Sequence, residues 1–203
     1  YIDFPEEIIR KRDCFQRTAF SDLLRLALLA TYGGIWLDAT TLLTGSLPVH
    51  YFDSGFFLFQ RDENEPNKDY WENSYAYYWG WYEGFRVRVL NSVIYAQKGN
   101  DTIQDLYNMM YSYWLNNKTY PYYFFFQILF DGLISRMPDK NCPVISDCLP
   151  HYTMQIVTGD FPYMSFEEIL KLTSIHKMTY KISDVCVEKL KNLLKEIDEY
   201  GYQ

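Results

Sequence analysis

Residues 21–44 read SDLLRLALLATYGGIWLDATTLLT, and three changes of texture within this run decide the fold. Ser21 stands where an N-cap belongs, and Asp22 follows in the first turn, where a carboxylate suits the positive helix end. Strong helix formers fill the next positions, so the run predicts a helix over 22–31. Gly33 and Gly34 supply a stop that tolerates left-handed backbone. Ile35, Trp36 and Leu37 are apolar without alternation, which reads as a strand buried on both faces. That strand ends on a lone carboxylate, Asp38.

Outward from this unit, residues 5–12 read as a short charged helix and 13–19 as a polar connection. Downstream, a Thr-rich segment with Gly45 and Pro48 leads into a second strand at 55–59. The stretch 62–73 is acidic, Asn-rich and without period, so it is expected to be a surface loop placed to act as an acceptor-side lid. Residues 87–96 predict a strand with Asn91 and Ser92 inside it. Helices follow at 102–115 and 122–133, a turn-rich loop at 138–150, and helices at 166–172 and 185–200. Strands alternating with helices give an α/β class with a mixed sheet flanked by helices. A chain of 203 residues is long enough for one domain with a full core, and 1–203 is read as a single domain.

The net charge of −7 argues against a nucleic-acid backbone as partner, because phosphate neutralisation needs a Lys/Arg surplus. A single diphosphate remains compatible with that charge, since a metal ion, backbone N–H groups or one lysine can hold it. No stretch approaches the roughly 20 apolar residues that span a bilayer, so the part given is expected to be soluble. Cys14, Cys142, Cys148 and Cys186 lack metal-ligand spacing and read as free thiols of a reducing cytoplasm. The close pair Cys142 and Cys148, with sequons at Asn100 and Asn117, leaves an oxidising compartment as the alternative. Twenty Tyr, fourteen Phe and five Trp exceed what a core of this size needs, and surplus rings serve either sugar stacking or a ring-packed interior.

Asp38 is the first candidate for chemistry. A carboxylate at the carboxyl end of a strand lies where open α/β sheets bind ligands, although a strand-end Asp also caps turns. Asp22 and Arg25 share one helical face, either as a local ion pair or as groups that orient a ribose hydroxyl and a phosphate. Gly33 and Gly34 would let backbone approach a ligand closely. Asn91, Ser92, Gln127 and Asp131 are polar groups in apolar text, which find partners or serve a ligand. His176, Lys177 and Lys181 cluster late in the chain, as surface groups or as contacts to an anionic donor. No paired nucleophile and acid/base carboxylates of glycosidase type are evident.

The run FSDLLRLALLATYGGIWLDATTLLTG resembles the signature of capsular polysaccharide synthesis and GT32-type glycosyltransferases, with SDxxR, a helix, GG and a DxD-type aspartate motif. Asn91 and Ser92, the ring-rich YPYYFFFQILFD and His176 with Lys177 extend the likeness. The resemblance implies a GT-A-like, Rossmann-type enzyme that moves a sugar from a nucleotide sugar, often UDP-linked, with retention, to a saccharide or lipid-linked saccharide acceptor. It assigns the donor to Asp22 and Arg25, with Asp38 as the first aspartate and at the catalytic position, and Gly33, Gly34, Asn91, Ser92 and Lys177 are the further donor contacts expected. A divalent cation, Mn or Mg, would sit on Asp38 and His176. Thr40 occupies the second aspartate position, and threonine is a poor ligand for hard dications. The metal is therefore open, with Lys177 or Lys181 as alternative point charges on leaving UDP. The resemblance also implies that first strands precede Tyr1. The expected place is cytoplasmic, at the inner face of the membrane with peripheral contact. A non-catalytic carbohydrate-binding or scaffold domain, with residues 75–82 and 120–126 as ring platforms, is the rival reading.

Overall fold

The computed structural model describes residues 2–74, 78–159 and 161–200. Helices α1 (Glu6–Cys14) and α2 (Arg17–Tyr32) lead through strands β1 (Gly34–Leu37), β2 (Thr41–Leu43) and β3 (Phe56–Gln60) to a short helix α3 (Lys68–Ser74). Strand β4 (Val89–Ala96) follows, then α4 (Asp101–Asn116), α5 (Phe125–Ile134), α6 (Tyr152–Thr158), α7 (Phe166–Leu172), β5 (Ile175–Lys177) and α8 (Asp184–Tyr200). This is a mixed α/β architecture with two small sheets. One has the order β1-β4-β3 and the other pairs β2 with β5, and every strand pair is antiparallel among the described residues. The expected mixed sheet is replaced by these two: β4 runs antiparallel between β1 and β3, which are parallel to each other but never paired.

The first strand departs from its expected burial. β1 lies at a sheet edge with only β4 beside it, so Ile35 is 40% exposed. The doubly buried strand is β3 instead. Phe56 and Leu58 face the core formed with α1, α2, α4 and α5, while Phe57 and Phe59 face a second cluster with Tyr51, Leu90, Val93 and Ile175. Alternation across the sheet explains why FFLFQ carries apolar residues at consecutive positions.

The helix α2 starts a turn earlier than its sequence suggests. Gln16 takes a positive φ of 78° at the N-cap, so Ser21 lies inside the helix and caps nothing. Gly33 ends α2, its N–H bonding to the carbonyl of Leu29 at 2.9 Å. A Cβ on Gly33, at φ 68°, would come 2.5 Å from the backbone nitrogen of Lys98. The glycine thus lets α2 end against the turn after β4.

The register of β3 against β4 shifts between Leu58 and Phe59, from Leu58 opposite Ile94 to Phe59 opposite Leu90. Asn91, Ser92 and Val93 are left without a partner on β3, as in a bulge that re-aims side chains.

Residues 62–73 are not a free loop. Asn67 turns with φ 62°, α3 follows, and Trp71 is fully buried among Trp79, Tyr152 and Phe161. Buried Glu65 accepts from the Tyr152 hydroxyl at 2.9 Å and from that of Ser146, which pins the segment and removes the lid. Beside it, the guanidinium of Arg61 forms a two-pronged pair with Asp147 at 2.9 and 3.0 Å and donates to the carbonyls of Gly80 and Tyr78. Both side chains are wholly buried. Removing one partner of a buried pair strands the other, so Asp147→Ala is expected to lower stability by about 3–5 kcal/mol. Urea unfolding checks this, and a loss below about 1 kcal/mol, the size of a surface pair, would contradict it.

Candidate functional site

A cleft of about 520 Å³ opens where α2, the end of β1, the bulge of β4, the start of α5 and the end of β5 meet. Small-molecule sites measure about 300–1,000 Å³, and this one falls within that range. Asp22, Arg25, Asp38, Asn91, Ser92, Gln127 and Lys177 all line it.

Arg25 forms its floor. Its Nε donates to the carbonyl of Ser21 at 3.3 Å, one terminal nitrogen to the carbonyl of Asn91, and the other to the Ser21 hydroxyl at 3.2 Å. The second terminal nitrogen also lies 3.4 Å from both Asp22 and Asp38, and the guanidinium stacks 5.1 Å from the centre of the Trp36 ring. Ser21 therefore serves Arg25 and not the helix end. The bulge is what makes the Asn91 carbonyl available, and the next carbonyl, on Ser92, accepts the N–H of Asp38 at 2.9 Å.

Asp22 accepts from the Asn91 amide at 2.9 Å and the Tyr120 hydroxyl at 3.4 Å. Burial nevertheless pushes its carboxyl up to about 6, against the pull of Arg25. Asp38 is more open, its side chain 26% exposed, and accepts from the Trp36 ring N–H at 2.8 Å.

Pairing of β2 with β5 sets Thr41 opposite Lys177, and Met178 donates its N–H to the carbonyl of Thr40 at 2.8 Å. The Lys177 ammonium consequently donates to the Thr40 hydroxyl and stands 4.0 Å from Asp38. Burial and the like charge of Arg25 pull its pKa down, while Asp38 opposes them.

The same pairing carries His176 out of the cleft. It is 0% exposed, with Nε2 2.8 Å from the Thr44 hydroxyl and Nδ1 2.8 Å from that of Thr153. Gly33 and Gly34 do not line the cleft either, and Asp131 pairs with Arg86 at 3.7 Å elsewhere.

The sequence model of the family described as capsular polysaccharide synthesis protein matches residues 1–197. The chain belongs to that family. No curated protein and no solved structure matches it.

In this capsular polysaccharide synthesis protein the cation implied by the DxD resemblance meets a donor set that does not fit it. Both ring nitrogens of His176 are engaged by hydroxyls, Thr40 holds an ammonium, and Asp38 already faces two cations. Among the described residues no group of three or more His, Cys, Asp and Glu is placed to hold a metal ion. All four cysteines are free, Cys142 and Cys148 being buried. No helix of the described residues is long and apolar enough to cross a membrane.

One cleft residue lies beyond the sequence reading, and one named there is left without a partner. His151, buried at its wall, donates from Nδ1 to the carbonyl of Asp147 at 2.8 Å, which leaves Nε2 as an acceptor. The oxygen of the Gln127 amide is buried with no hydrogen-bond partner among the described residues. Of the ring platforms, residues 75–77 lie outside the described residues. Tyr78 and Trp79 are buried against Arg61, whereas Tyr123 is exposed at the cleft.

The buried titratable groups set a pH dependence. Burial lowers His151 and His176 to about 4. With unfolded histidine near 6.5, these two groups bind more protons in the unfolded chain between about 4 and 6.5, and their contribution to stability rises with pH across that window. Asp22, raised to about 6, works oppositely: the folded state holds the extra proton, so its contribution falls as pH rises from about 4 to about 6. Asp22→Asn is therefore expected to steepen the rise in unfolding free energy between about pH 4 and 6.5, measured by urea titration. An unchanged slope would contradict a raised Asp22.

Proposed function

We propose that this chain, taken as one domain over 1–203, is a GT-A-like glycosyltransferase that moves a sugar from a nucleotide sugar, UDP-linked in the first instance, to a saccharide or lipid-linked saccharide. Its family supplies the setting, capsular polysaccharide synthesis. The observation that carries the reading is the convergence of Asp22, Arg25, Asp38, Asn91, Ser92 and Lys177 on one cleft from three segments far apart in the chain. A half-open carboxylate beside a lone lysine is a fitting arrangement for a ribose hydroxyl and a diphosphate. The acceptor nitrogen of His151 at the cleft wall matches a hydroxyl donor of a sugar.

Transfer in this reading is positional and electrostatic. The acceptor oxygen bonds to the anomeric carbon on the face that the diphosphate leaves. The carbon–oxygen bond to the diphosphate breaks with its electron pair, and the acceptor proton passes to the departing phosphate oxygen. Asp38 touches the donor and holds it in register; Arg25, buried in the floor, acts by positioning Asp22 and Asp38. The work is proposed to take place at the cytoplasmic face of the membrane, through peripheral contact.

A panel of UDP- and GDP-sugars, assayed for hydrolysis and for transfer to saccharide acceptors, tests the reading. Turnover with at least one donor is expected, and Asp38→Asn should reduce it by about a hundredfold or more, the scale of losing one electrostatic contact in a catalytic site. A cooperative urea transition should show that the variant still folds, with Asp22 left as the counter-charge of Arg25. Absence of both turnover and nucleotide binding across the panel would reject the enzyme, and sugar binding without nucleotide would instead favour a carbohydrate-binding domain.

A further inference from the structure

Charge accounting around Asp38 sets this cleft apart from a dication site. One carboxylate oxygen accepts from the Trp36 ring and lies 3.4 Å from Arg25, and the other lies 4.0 Å from Lys177. A dication on Asp38 would be forced against both positive groups. Arg25 is 5% exposed, with its hydrogen bonds given to Ser21 and Asn91 and its charge facing Asp22 and Asp38, so burial holds it within the floor. Lys177 differs. An ammonium has three N–H donors, of which one goes to Thr40 and one points to Asp38, and its side chain is 20% exposed at the cleft.

Thr40 has a specific part in this. A second aspartate there would pair with the ammonium and cancel its charge, whereas a hydroxyl positions the ammonium and leaves the charge in place. The β2–β5 register, with Leu42 opposite His176 and Thr41 opposite Lys177, and the Met178 bond to Thr40 hold the lysine stem from the backbone. The positive charge is set before any ligand arrives, which spares the ordering of a flexible lysine on binding.

Resting on the donor reading above, we propose that the Lys177 ammonium holds the diphosphate of a nucleoside diphosphate donor in the place of a divalent cation, so that the chain binds its donor without metal. Thr40 is the positioning residue for that ammonium, and His176 stays a buried structural histidine.

Calorimetric titration with UDP, and with GDP alongside, in EDTA and again in excess Mn, tests this on the full chain. Equal affinity within about twofold in the two conditions is expected. Lys177→Met should weaken UDP at least tenfold in EDTA, Lys177→Arg should retain most of the affinity, and unchanged urea midpoints establish that both variants fold. UDP binding that requires Mn, or that survives Lys177→Met unchanged, overturns the proposal while the donor reading stands. No UDP or GDP binding in either condition would overturn the donor reading itself. If Lys177→Met fails to fold, Thr40→Val decides: the proposal expects weaker binding in EDTA, and unaltered binding overturns it.

Discussion

The buried guanidinium of Arg25 is the point on which the cleft depends. Taking such a charge out of water costs several kcal/mol unless its donors are met and an opposite charge stands nearby. Here a helical carbonyl and hydroxyl from Ser21, a bulge carbonyl from Asn91 and two carboxylates meet it, with the Trp36 face beneath. The consequence is geometric. Helix α2, the end of β1 and the irregular part of β4 share one hub, and Asp22 and Asp38 tolerate each other because the cation lies between them. Loss of any of the three segments would leave the hub unsatisfied, so the floor needs all three together.

Sheet irregularity and sheet pairing then divide the labour. The three-residue slip in β4 turns Asn91 and Ser92 toward the cleft, one carbonyl serving Arg25 and the next holding the Asp38 backbone. The small β2–β5 sheet brings in a late segment, placing Lys177 at the cleft and turning its neighbour His176 into the interior. Alternation along a strand decides between the two residues: adjacent side chains point to opposite faces, so both cannot serve one site. Most of the surplus rings turn out to be structural, as in the cage of Trp79, Trp81, Tyr78 and Phe85 around Arg61.

The legible parts of the sequence were those governed by local order. Helical periodicity marked α4, α7 and α8 closely, and the S-D-x-x-R spacing placed Asp22 and Arg25 on one face. What escaped was set over long distances. Arg61 and Asp147 lie 86 residues apart, and nothing near either announces the other. Trp71 turns an apparently periodless acidic stretch into a helix because a distant aromatic cluster receives it. Ser21 resembled a cap because a cap and an arginine acceptor call for the same residue type; only the positive φ at Gln16 distinguishes them. His176 followed a family motif to a metal role that its two threonine partners leave no room for. His151, buried at the cleft wall, has no sequence signature at all.

A crystal structure of the chain with UDP bound is the most direct measurement of whether this hub floors a donor site. The account predicts the diphosphate within hydrogen-bond reach, about 3 Å, of the Lys177 nitrogen. Asp38 should face the ribose or sugar, and Arg25 should keep its contacts to Asp22, Asp38 and Asn91. A nucleotide seated elsewhere on the chain, or an Arg25 released from its carboxylates to grip the phosphates, would contradict it.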